Sequence, residues 1–269
     1  MSNQAIDGNL VIIGGAEDKT KDCIILKKVI ELSHGSSARV AIITAATELS
    51  HSVGDEYMYV FNKLGVNECY AIHINTREDA NHAHNINLIR QATCIYFTGG
   101  DQLRITSLLG GTKTEEVLLD AFHHGAVIAG TSAGASIMSN TMIISGEDDN
   151  APKKCTLKMA PGLGLLKKVI IDQHFAQRGR IGRLLAAIAQ NPLMLGIGID
   201  EDTALIVKSN ADCYVIGSHT VTVLDAMSSI YTNVSELKPE EILALTNVTL
   251  HLLPSGYGFN LIKRKPIIL

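Results

Sequence analysis

Short apolar runs alternate with amphipathic segments along the first half of the chain. Each apolar run is hydrophobic throughout, not at every second position, which is typical of strands buried on both faces of a parallel sheet. The predicted strands lie at residues 9–15, 39–45, 68–74, 93–98 and 126–129, and the predicted helices at 21–34, 51–64, 79–91, 103–109 and 114–124. This alternation predicts an α/β fold, with a mostly parallel sheet and helices on both of its faces.

The second half continues with a strand at 167–172, a helix at 178–190 and a strand at 195–199. Apolar runs then follow at short intervals, at 203–207, 213–216, 221–224, 248–253 and 257–262. Such spacing is typical of antiparallel strands, which we expect to extend the far, C-terminal edge of the same sheet. Since no Pro-, Gly- or Ser-rich linker separates the two halves, we expect a single domain over residues 1–269.

Composition and charge narrow the class of protein. Of the 269 residues, 46% are hydrophobic, only 4% are aromatic and none is Trp, so we expect a large core built from aliphatic side chains. The net charge of −4 argues against a general nucleic-acid-binding protein, which would need a basic surface.

The five cysteines are scattered and none forms a C-x-x-C pair, which argues against a zinc site or a disulfide framework. Cys69, Cys94 and Cys213 lie in or beside strand-like runs and are predicted to be buried free thiols. The N-terminus lacks the basic start and apolar region of a leader peptide, and no run of about 18 apolar residues occurs. We therefore expect a cytoplasmic protein with neither a membrane nor a nucleic acid as partner.

The segment 126–135 carries the main candidate for chemistry. Its apolar run leads into Gly-Thr-Ser-Ala-Gly at 130–134, which fits the G-x-S-x-G pattern, and a helix-compatible run over 133–140 follows. A strand, a sharp turn and a helix in this order would lift the Ser132 hydroxyl above the sheet as a nucleophile. The amide of Ala133 would then face the oxyanion that forms during attack. The competing interpretation is a glycine-rich turn that holds a phosphate or nothing.

A nucleophilic serine needs a base in contact and a group that orients the base. Among the ten histidines, His174 stands out because it ends a predicted strand, as Ser132 does. Glu201 follows the next strand and is the best-placed acid, with its neighbours Asp200 and Asp202 as alternatives. We expect the three side chains to meet at one edge of a single sheet. The competing interpretations are a structural histidine and a solvated acidic turn.

Acyl transfer also requires two hydrogen-bond donors for the oxyanion. Besides the amide of Ala133, the turn after the fourth predicted strand offers the amides of Gly99 and Gly100. Neither this pair nor the pair at 14–15 completes G-x-G-x-x-G, which disfavours a dinucleotide site. The competing interpretation of Gly99 and Gly100 is a plain turn between a strand and a helix.

Charged residues near these positions suggest what the pocket binds. Arg178, Arg180 and Arg183 follow the candidate base, and the last two share a helix face on which they could bind a carboxylate bidentately. The acidic run at 147–149 could bind a guanidinium. Each feature is also compatible with a solvated surface, but together they indicate a zwitterionic substrate.

Four motifs, in this order and spacing, resemble those of the cyanophycinase family. They are Phe-Thr-Gly-Gly-Asp-Gln-Leu-Arg at 97–104, Gly-Thr-Ser-Ala-Gly-Ala at 130–135, Asp-Gln-His-Phe at 172–175 with the trailing arginines, and Gly-Ile-Asp-Glu at 198–201. That family belongs with the aspartyl dipeptidases, in a fold similar to class I glutamine amidotransferases. The resemblance covers residues from 10 to 253, approximately.

The resemblance implies a serine-type exopeptidase that degrades cyanophycin, a polymer with a poly-aspartate backbone and an arginine on each β-carboxyl group. The implied product is the β-aspartyl-arginine dipeptide. The resemblance also implies a homodimer and a reaction that needs no metal and no cofactor.

Carried over by position, the resemblance implies Ser132 as the nucleophile, His174 as the general base and Glu201 as the acid that orients it. It implies an oxyanion hole formed by Ala133 with Gly99 or Gly100. The residues implied to line the substrate pocket are Gln102, Asp172, Gln173, Arg178, Arg180 and Arg183. The chain order Ser, His, Glu also differs from the Ser, acid, His order of α/β-hydrolases, which disfavours an esterase.

Three other functions stay open. The nearest is an aspartyl dipeptidase that acts on small Asp-X peptides, although the run at 101–104 and Gln173 favour the polymer. A glutaminase of the amidotransferase type would need a cysteine where this chain has Ser132. A non-catalytic binding module would keep the turn without a reactive serine.

Overall fold

The computed structural model describes residues 8–146, 148 and 151–267. Its α-helices are α1 (Ile24–Leu32), α2 (Ser50–Lys63), α3 (Ala83–Gln91), α4 (Gln102–Leu109), α5 (Lys113–His123), α6 (Ala133–Ser136) and α7 (Ile181–Gln190). Its strands are β1 (Leu10–Ile13), β2 (Arg39–Ile43), β3 (Glu68–Ile72), β4 (Cys94–Phe97), β5 (Val127–Thr131), β6 (Thr141–Ser145), β7 (Lys158–Pro161), β8 (Val169–Gln173), β9 (Leu195–Ile199), β10 (Thr203–Val207), β11 (Asp212–Gly217), β12 (Thr220–Asp225), β13 (Thr249–Pro254), β14 (Gly258–Asn260) and β15 (Lys265–Ile267). The strands and helices predicted for the first half all occur, most of them a few residues shorter.

The large sheet has the strand order β15-β14-β11-β10-β1-β5-β4-β2-β3. The five strands from β1 to β3 in this order are parallel, and β10, β11, β14 and β15 are added antiparallel on the side of β1. This arrangement confirms the predicted α/β class with an antiparallel C-terminal edge. Because β5 lies between β1 and β4, the turns that follow these three strands are neighbours at one end of the sheet.

Helices cover both faces of the large sheet, as predicted. In β1, Val11 packs in a cluster with α1 and α2, whereas Ile12 packs in a cluster with α3, α4 and α5 on the opposite face. α2 contacts the sheet through Tyr57, Val60 and Phe61. These buried residues recur at the three- and four-residue spacing that places side chains on one face of a helix.

A separate four-stranded sheet, in the order β13-β12-β9-β8, was not predicted. In it, β8 and β9 are parallel, and β12 and β13 are antiparallel additions. The expectation that the runs at 221–224 and 248–253 extend the large sheet was therefore wrong. A buried strand has the same apolar pattern in either sheet, so the pattern does not assign it to one of them.

The four-stranded sheet packs against the large sheet and shares its core. Ile171, Ile197 and Val223 belong to the same buried cluster as Ile12 and Phe97 of the large sheet. The other face of the four-stranded sheet is covered by α7, whose buried residues pack with those of β8 and β12. The two sheets therefore bring the end of β8 close to the ends of β1 and β5.

All five cysteines are free thiols. Cys94 and Cys213 are buried, as predicted, whereas Cys69 is only partly buried. Burial raises the pKa of all three thiols to about 12, so they stay protonated and unreactive at neutral pH. Across the described ranges, no helix combines the length and the hydrophobicity that a membrane span requires.

Candidate active site

Ser132 lies at the sharp turn between β5 and α6. Its backbone has φ 54° and ψ −111°, a conformation that is strained for a residue with a side chain. The turn packs tightly on β4, since a Cβ on Gly134 would lie only 2.5 Å from the carbonyl oxygen of Phe97. The helix that follows, Ala133–Ser136, is shorter than the predicted 133–140. The serine side chain is partly exposed, so a substrate can reach it.

Ser132, His174 and Glu201 form a hydrogen-bonded line. The distance from Ser132 Oγ to His174 Nε2 is 2.9 Å, and that from His174 Nδ1 to Glu201 Oε1 is 2.6 Å. With Nδ1 donating its proton to the carboxylate, Nε2 is left to accept the proton of the serine hydroxyl. The three side chains singled out from the sequence therefore meet in the geometry that a nucleophilic serine needs.

Two sheets, not one, bring these side chains together. Ser132 follows β5 of the large sheet, whereas His174 and Glu201 follow β8 and β9 of the four-stranded sheet. The expectation of a single sheet was therefore wrong. The turn 200–202 leads from β9 into β10, which pairs with β1 in the large sheet, and this crossing places the acid beside the end of β1.

The glycine turn after β1 contacts both the backbone and the imidazole ring of His174. The N–H of His174 donates to the carbonyl oxygen of Gly14 at 2.8 Å, and the N–H of Asp202 donates to that of Gly15 at 2.8 Å. Gly15 has φ 102°, and a Cβ on it would lie 2.5 Å from His174 Nε2. The ring thus occupies space that only a glycine leaves free, a role of this turn that its sequence did not reveal.

Glu201 is the one acid of its turn that faces the imidazole. Asp200 Oδ2 accepts a hydrogen bond from the hydroxyl of Thr220 at 2.7 Å. Asp202 Oδ2 accepts one from the hydroxyl of Ser218 at 2.5 Å. The two alternatives that the sequence left open are therefore used in other contacts.

The protonation state of His174 suits a general base. Burial is the main cause that lowers the pKa of His174 below its ordinary value of 6.5, and the positive charges of Arg178 and Arg180 lower it further. The hydrogen bond that His174 Nδ1 donates to Glu201, together with the negative charge of Glu201, opposes this shift of the pKa. The imidazole is consequently neutral at neutral pH, which is the form that can accept a proton from serine.

Backbone amides suited to an oxyanion lie close to the serine. A Cβ built on Gly99 would be 4.0 Å from Ser132 Oγ, whereas one on Gly100 would meet Ala46. The amides of both glycines make no hydrogen bond to another described residue. Ala133 begins α6 directly after the serine, so its amide is one of the N-terminal amides that have no partner within the helix.

Arg180 and Arg183 are buried and already bind carboxylates of the chain. Arg183 donates from Nε and Nη2 to the two oxygens of Asp172, at 2.7 and 2.5 Å. Asp148 Oδ1 accepts from Arg180 Nε at 2.9 Å and from Arg183 Nη1 at 3.1 Å. Arg180 Nη1 also donates to the side-chain oxygen of Gln173 at 2.8 Å. Four of the six predicted pocket residues thus form one network with Asp148.

The other two predicted pocket residues lie outside this network. Gln102 Nε2 donates to two carbonyl oxygens of β6, at 2.8 and 3.0 Å, and so connects α4 to that strand. Arg178 is exposed, and its guanidinium has no hydrogen-bond or ion-pair partner among the residues that the structure describes. Of the predicted acidic run 147–149, only Asp148 is described; Glu147 and Asp149 lie outside the described residues.

Known proteins similar to this chain are peptidases. The profile of peptidase family S51 matches residues 10–212. The cyanophycinase of Geminocystis herdmanii (strain PCC 6308) is 36% identical over 265 residues, which cover 98% of this chain and 97% of that protein. The cyanophycinase of Trichormus variabilis (strain ATCC 29413 / PCC 7937) is 35% identical over 262 residues, covering 97% and 88%.

A solved structure is similar over nearly the whole fold. It is a peptidase from an acI-B1 Actinobacterium, with a TM-score of 0.68 and 21% sequence identity, and the match covers 94% of this chain and 96% of that one. At this identity the likeness concerns the fold alone.

Proposed function

This chain belongs to peptidase family S51 and is a peptidase, and from that premise we propose that it hydrolyses cyanophycin to β-aspartyl-arginine dipeptides. Ser132, His174 and Glu201 act as its catalytic triad in this proposal. The observation that carries it is the hydrogen-bonded line of these side chains, with distances of 2.9 and 2.6 Å. The substrate is suggested by the relatives named cyanophycinase, which match almost the full length of the chain.

The proposed reaction begins at the serine hydroxyl. Ser132 Oγ attacks the carbonyl carbon of the scissile amide while His174 Nε2 takes the hydroxyl proton. The imidazolium then gives this proton to the leaving amine as the C–N bond breaks, which leaves an acyl-enzyme. A water molecule, deprotonated by the same imidazole, hydrolyses the ester and restores the serine.

Glu201 and the backbone amides stabilise the charges that develop in this scheme. Glu201 holds the Nδ1 proton and balances the positive charge of the imidazolium. The oxyanion is held by the amide of Ala133 and by a glycine amide, for which Gly99 is favoured by its position beside the hydroxyl. These donors are fixed by the backbone, so they need no rearrangement when the charge forms.

Charges around the triad fit a zwitterionic substrate. Each unit of the proposed polymer carries one free carboxylate and one guanidinium. Arg178 is exposed, lies close enough to affect the imidazole, and has no acidic partner among the described residues, so we assign it to the substrate carboxylate. Gln102, Asp172, Gln173, Arg180 and Arg183 shape the pocket around it in this proposal.

The test is release of β-aspartyl-arginine from purified cyanophycin, measured by mass spectrometry for the wild type and for Ser132→Ala. We expect the variant to lose turnover and to keep the far-ultraviolet circular dichroism of the wild type. His174→Ala should be nearly as inactive, because members of a triad act as a unit. Undiminished turnover in either folded variant would reject the triad.

A second substrate separates the alternatives. Cleavage of Asp-Leu without release of β-aspartyl-arginine would identify an aspartyl dipeptidase instead. Labelling with a serine-directed reagent distinguishes an enzyme from a binding module, since a module would leave Ser132 unmodified. The matched control is the same labelling of Ser132→Ala.

We also propose that the chain works as a single domain and as a homodimer in the cytoplasm. Free thiols at all five cysteines suit a reducing compartment. One buried cluster extends from Leu10 to Leu261, which supports a single folding unit. Light scattering on the purified protein would test the dimer, with an expected mass of twice that of the chain.

A further inference from the structure

A buried acid that the triad does not use lies below the active site. Glu17 is only 5% exposed, and its carboxyl oxygens accept hydrogen bonds from three hydroxyl groups. Oε2 accepts from Thr131 at 2.5 Å, and Oε1 accepts from Tyr57 at 2.5 Å and from Tyr96 at 2.9 Å. All three donors are themselves buried. Hydrogen bonds to both carboxyl oxygens therefore hold the Glu17 side chain in place.

The donors come from three different elements of the large sheet and its covering helix. Thr131 is the last residue of β5 and directly precedes the strained Ser132. Tyr96 belongs to β4 and Tyr57 to α2. A single side chain thus connects two neighbouring strands and a helix at the point where the nucleophile turn begins.

Glu17 also ends the glycine turn on which the imidazole rests. That turn, residues 14–17, leaves β1 and accepts the backbone N–H of His174 at Gly14. At the same level, Ile13 pairs with Thr131 across the parallel ladder, and the N–H of Ser132 donates to the carbonyl oxygen of Ile13 at 3.0 Å. The segment from β1 to Glu17 therefore contacts the base on one side and the nucleophile on the other.

The chemistry of this cluster suits positioning and not proton transfer. Burial, followed by the negative charge of Glu17, raises the pKa of Tyr57 and of Tyr96 well above the ordinary value of 10.0. Both tyrosines therefore stay protonated and keep donating. Hydrogen bonds are directional, so a buried acid such as Glu17 fixes the orientation of the hydroxyl groups that donate to it. An apolar side chain of the same size would not fix them.

We propose that Glu17 is a positioning residue for acyl transfer. By binding the hydroxyl of Thr131, it fixes the end of β5 against the turn that supports His174, and so sets the distance between the serine hydroxyl and Nε2. This inference rests on the proposed function, because it assigns Glu17 a part in the reaction of that same triad.

The experiment removes one hydroxyl group. Thr131→Val replaces the hydroxyl by a methyl group of similar size and breaks the bond to Glu17, whereas Thr131→Ser keeps the hydroxyl. Both are assayed with cyanophycin well below their unfolding temperatures. We expect Thr131→Val to lower kcat about 10- to 100-fold, since small displacements of reacting groups cost this much. KM should stay near the wild-type value, and Thr131→Ser should restore kcat.

Thr114→Val is the matched control. Thr114 is fully buried in α5, and its hydroxyl has no hydrogen-bond partner among the described residues. The same chemical change there should leave kcat at the wild-type value. Where Thr131→Val does not fold, Thr131→Ala, which removes the hydroxyl together with the γ-methyl group, tests the same point.

Two results would overturn the proposal. One is a folded Thr131→Val or Thr131→Ala variant with a lower unfolding temperature but wild-type kcat, which would make the cluster purely structural. The other is a raised KM with unchanged kcat, which would place its effect on substrate binding. Ser132→Ala is measured alongside: its activity tests the triad itself, so failure of the proposed function and failure of this inference give different outcomes.

Discussion

Arg178 differs from its two neighbouring arginines because no acid neutralises it among the described residues. Its positive charge is one of the causes that lower the pKa of His174, after burial. A lowered pKa keeps the imidazole neutral to a pH below 6.5, so the acid limb of kcat/KM should lie below that value. The side chain that binds the substrate in our proposal therefore also keeps the base in its active form.

Arg178→Gln should raise the pKa of His174 and move the acid limb of kcat/KM to higher pH. The expected shift is about 0.2–0.7 pH units, because exposed charges interact by less than about 1 kcal/mol. Arg178→Lys keeps the charge and is the control, with the limb close to its wild-type position. The measurement is a pH profile of kcat/KM, and an unmoved limb in the glutamine variant would show that this charge does not reach the imidazole.

Gly15→Ala tests the contact between the β1 turn and the imidazole. The new Cβ would overlap the ring of His174, because it would lie only 2.5 Å from Nε2. The ring must then move away from Ser132, so we expect kcat to fall about 100-fold or more. The readouts are kcat with cyanophycin and the rate at which a serine-directed reagent labels the protein.

Gly65→Ala is the control for backbone strain. Gly65 has φ 95°, close to the 102° of Gly15, but no atom lies within 4 Å of a Cβ built on it. Its alanine variant should lose stability and keep kcat. Equal losses of kcat at both positions would mean that strain, not the overlap with the imidazole, explains the effect.

The start of α7 carries a pair of buried arginines, and the segment after β6 carries Asp148. Asp148 contacts this pair on the side that faces solvent. This acid is 39% exposed, whereas Asp172 on the inner side of the pair is 1% exposed. A substrate carboxylate that approaches Arg180 and Arg183 from solvent must displace Asp148. If these arginines bind a substrate carboxylate in the proposed pocket, Asp148 competes with the substrate at this place.

Asp148→Asn should lower KM about 2- to 5-fold, because solvent screens the 39% exposed carboxylate and limits the worth of its ion pairs to about 1 kcal/mol. Asp172→Asn is the contrasting variant. It leaves buried guanidinium groups without their main partner, and we expect the free energy of unfolding to fall by about 3–5 kcal/mol. Steady-state kinetics and urea unfolding measure the two effects. A raised KM in Asp148→Asn would instead mean that Asp148 itself binds the substrate.

At the level of elements, the sequence predicted most strands and helices because buried strands and one-sided helices have distinct patterns. It also led to the expectation that the side chains of Ser132, His174 and Glu201 lie close together, since each follows a strand, and their hydrogen bonds agree with that proximity. It missed the four-stranded sheet, because hydrogen-bond pairing between strands has no signature in the periodicity of either strand. It missed the contacts of Arg180 and Arg183 with Asp172 and Asp148 because these depend on which side chains the two sheets bring together.

At the level of the whole molecule, the hydrogen bonds that connect Ser132, His174 and Glu201 depend on how two sheets pack. The serine belongs to one sheet and the imidazole and its acid to the other, so a shift between the sheets would open the distance of 2.9 Å between Ser132 Oγ and His174 Nε2. The shared core formed by residues such as Ile171 and Ile197 opposes that shift. The proposed triad therefore requires that the two sheets behave as a single cooperative unit.

Ile197→Ala tests that unit. Ile197 is fully buried in the core common to both sheets, and its truncation should lower the free energy of unfolding by about 2–5 kcal/mol. If the sheets unfold together, circular dichroism and loss of activity should follow one urea transition, displaced as a whole. Ile24→Ala, at a residue that is 54% exposed, should change stability by less than about 0.5 kcal/mol. Two separate transitions, of which the substitution displaces only one, would contradict a single domain. The four-stranded sheet would then unfold independently of the sheet that carries the serine.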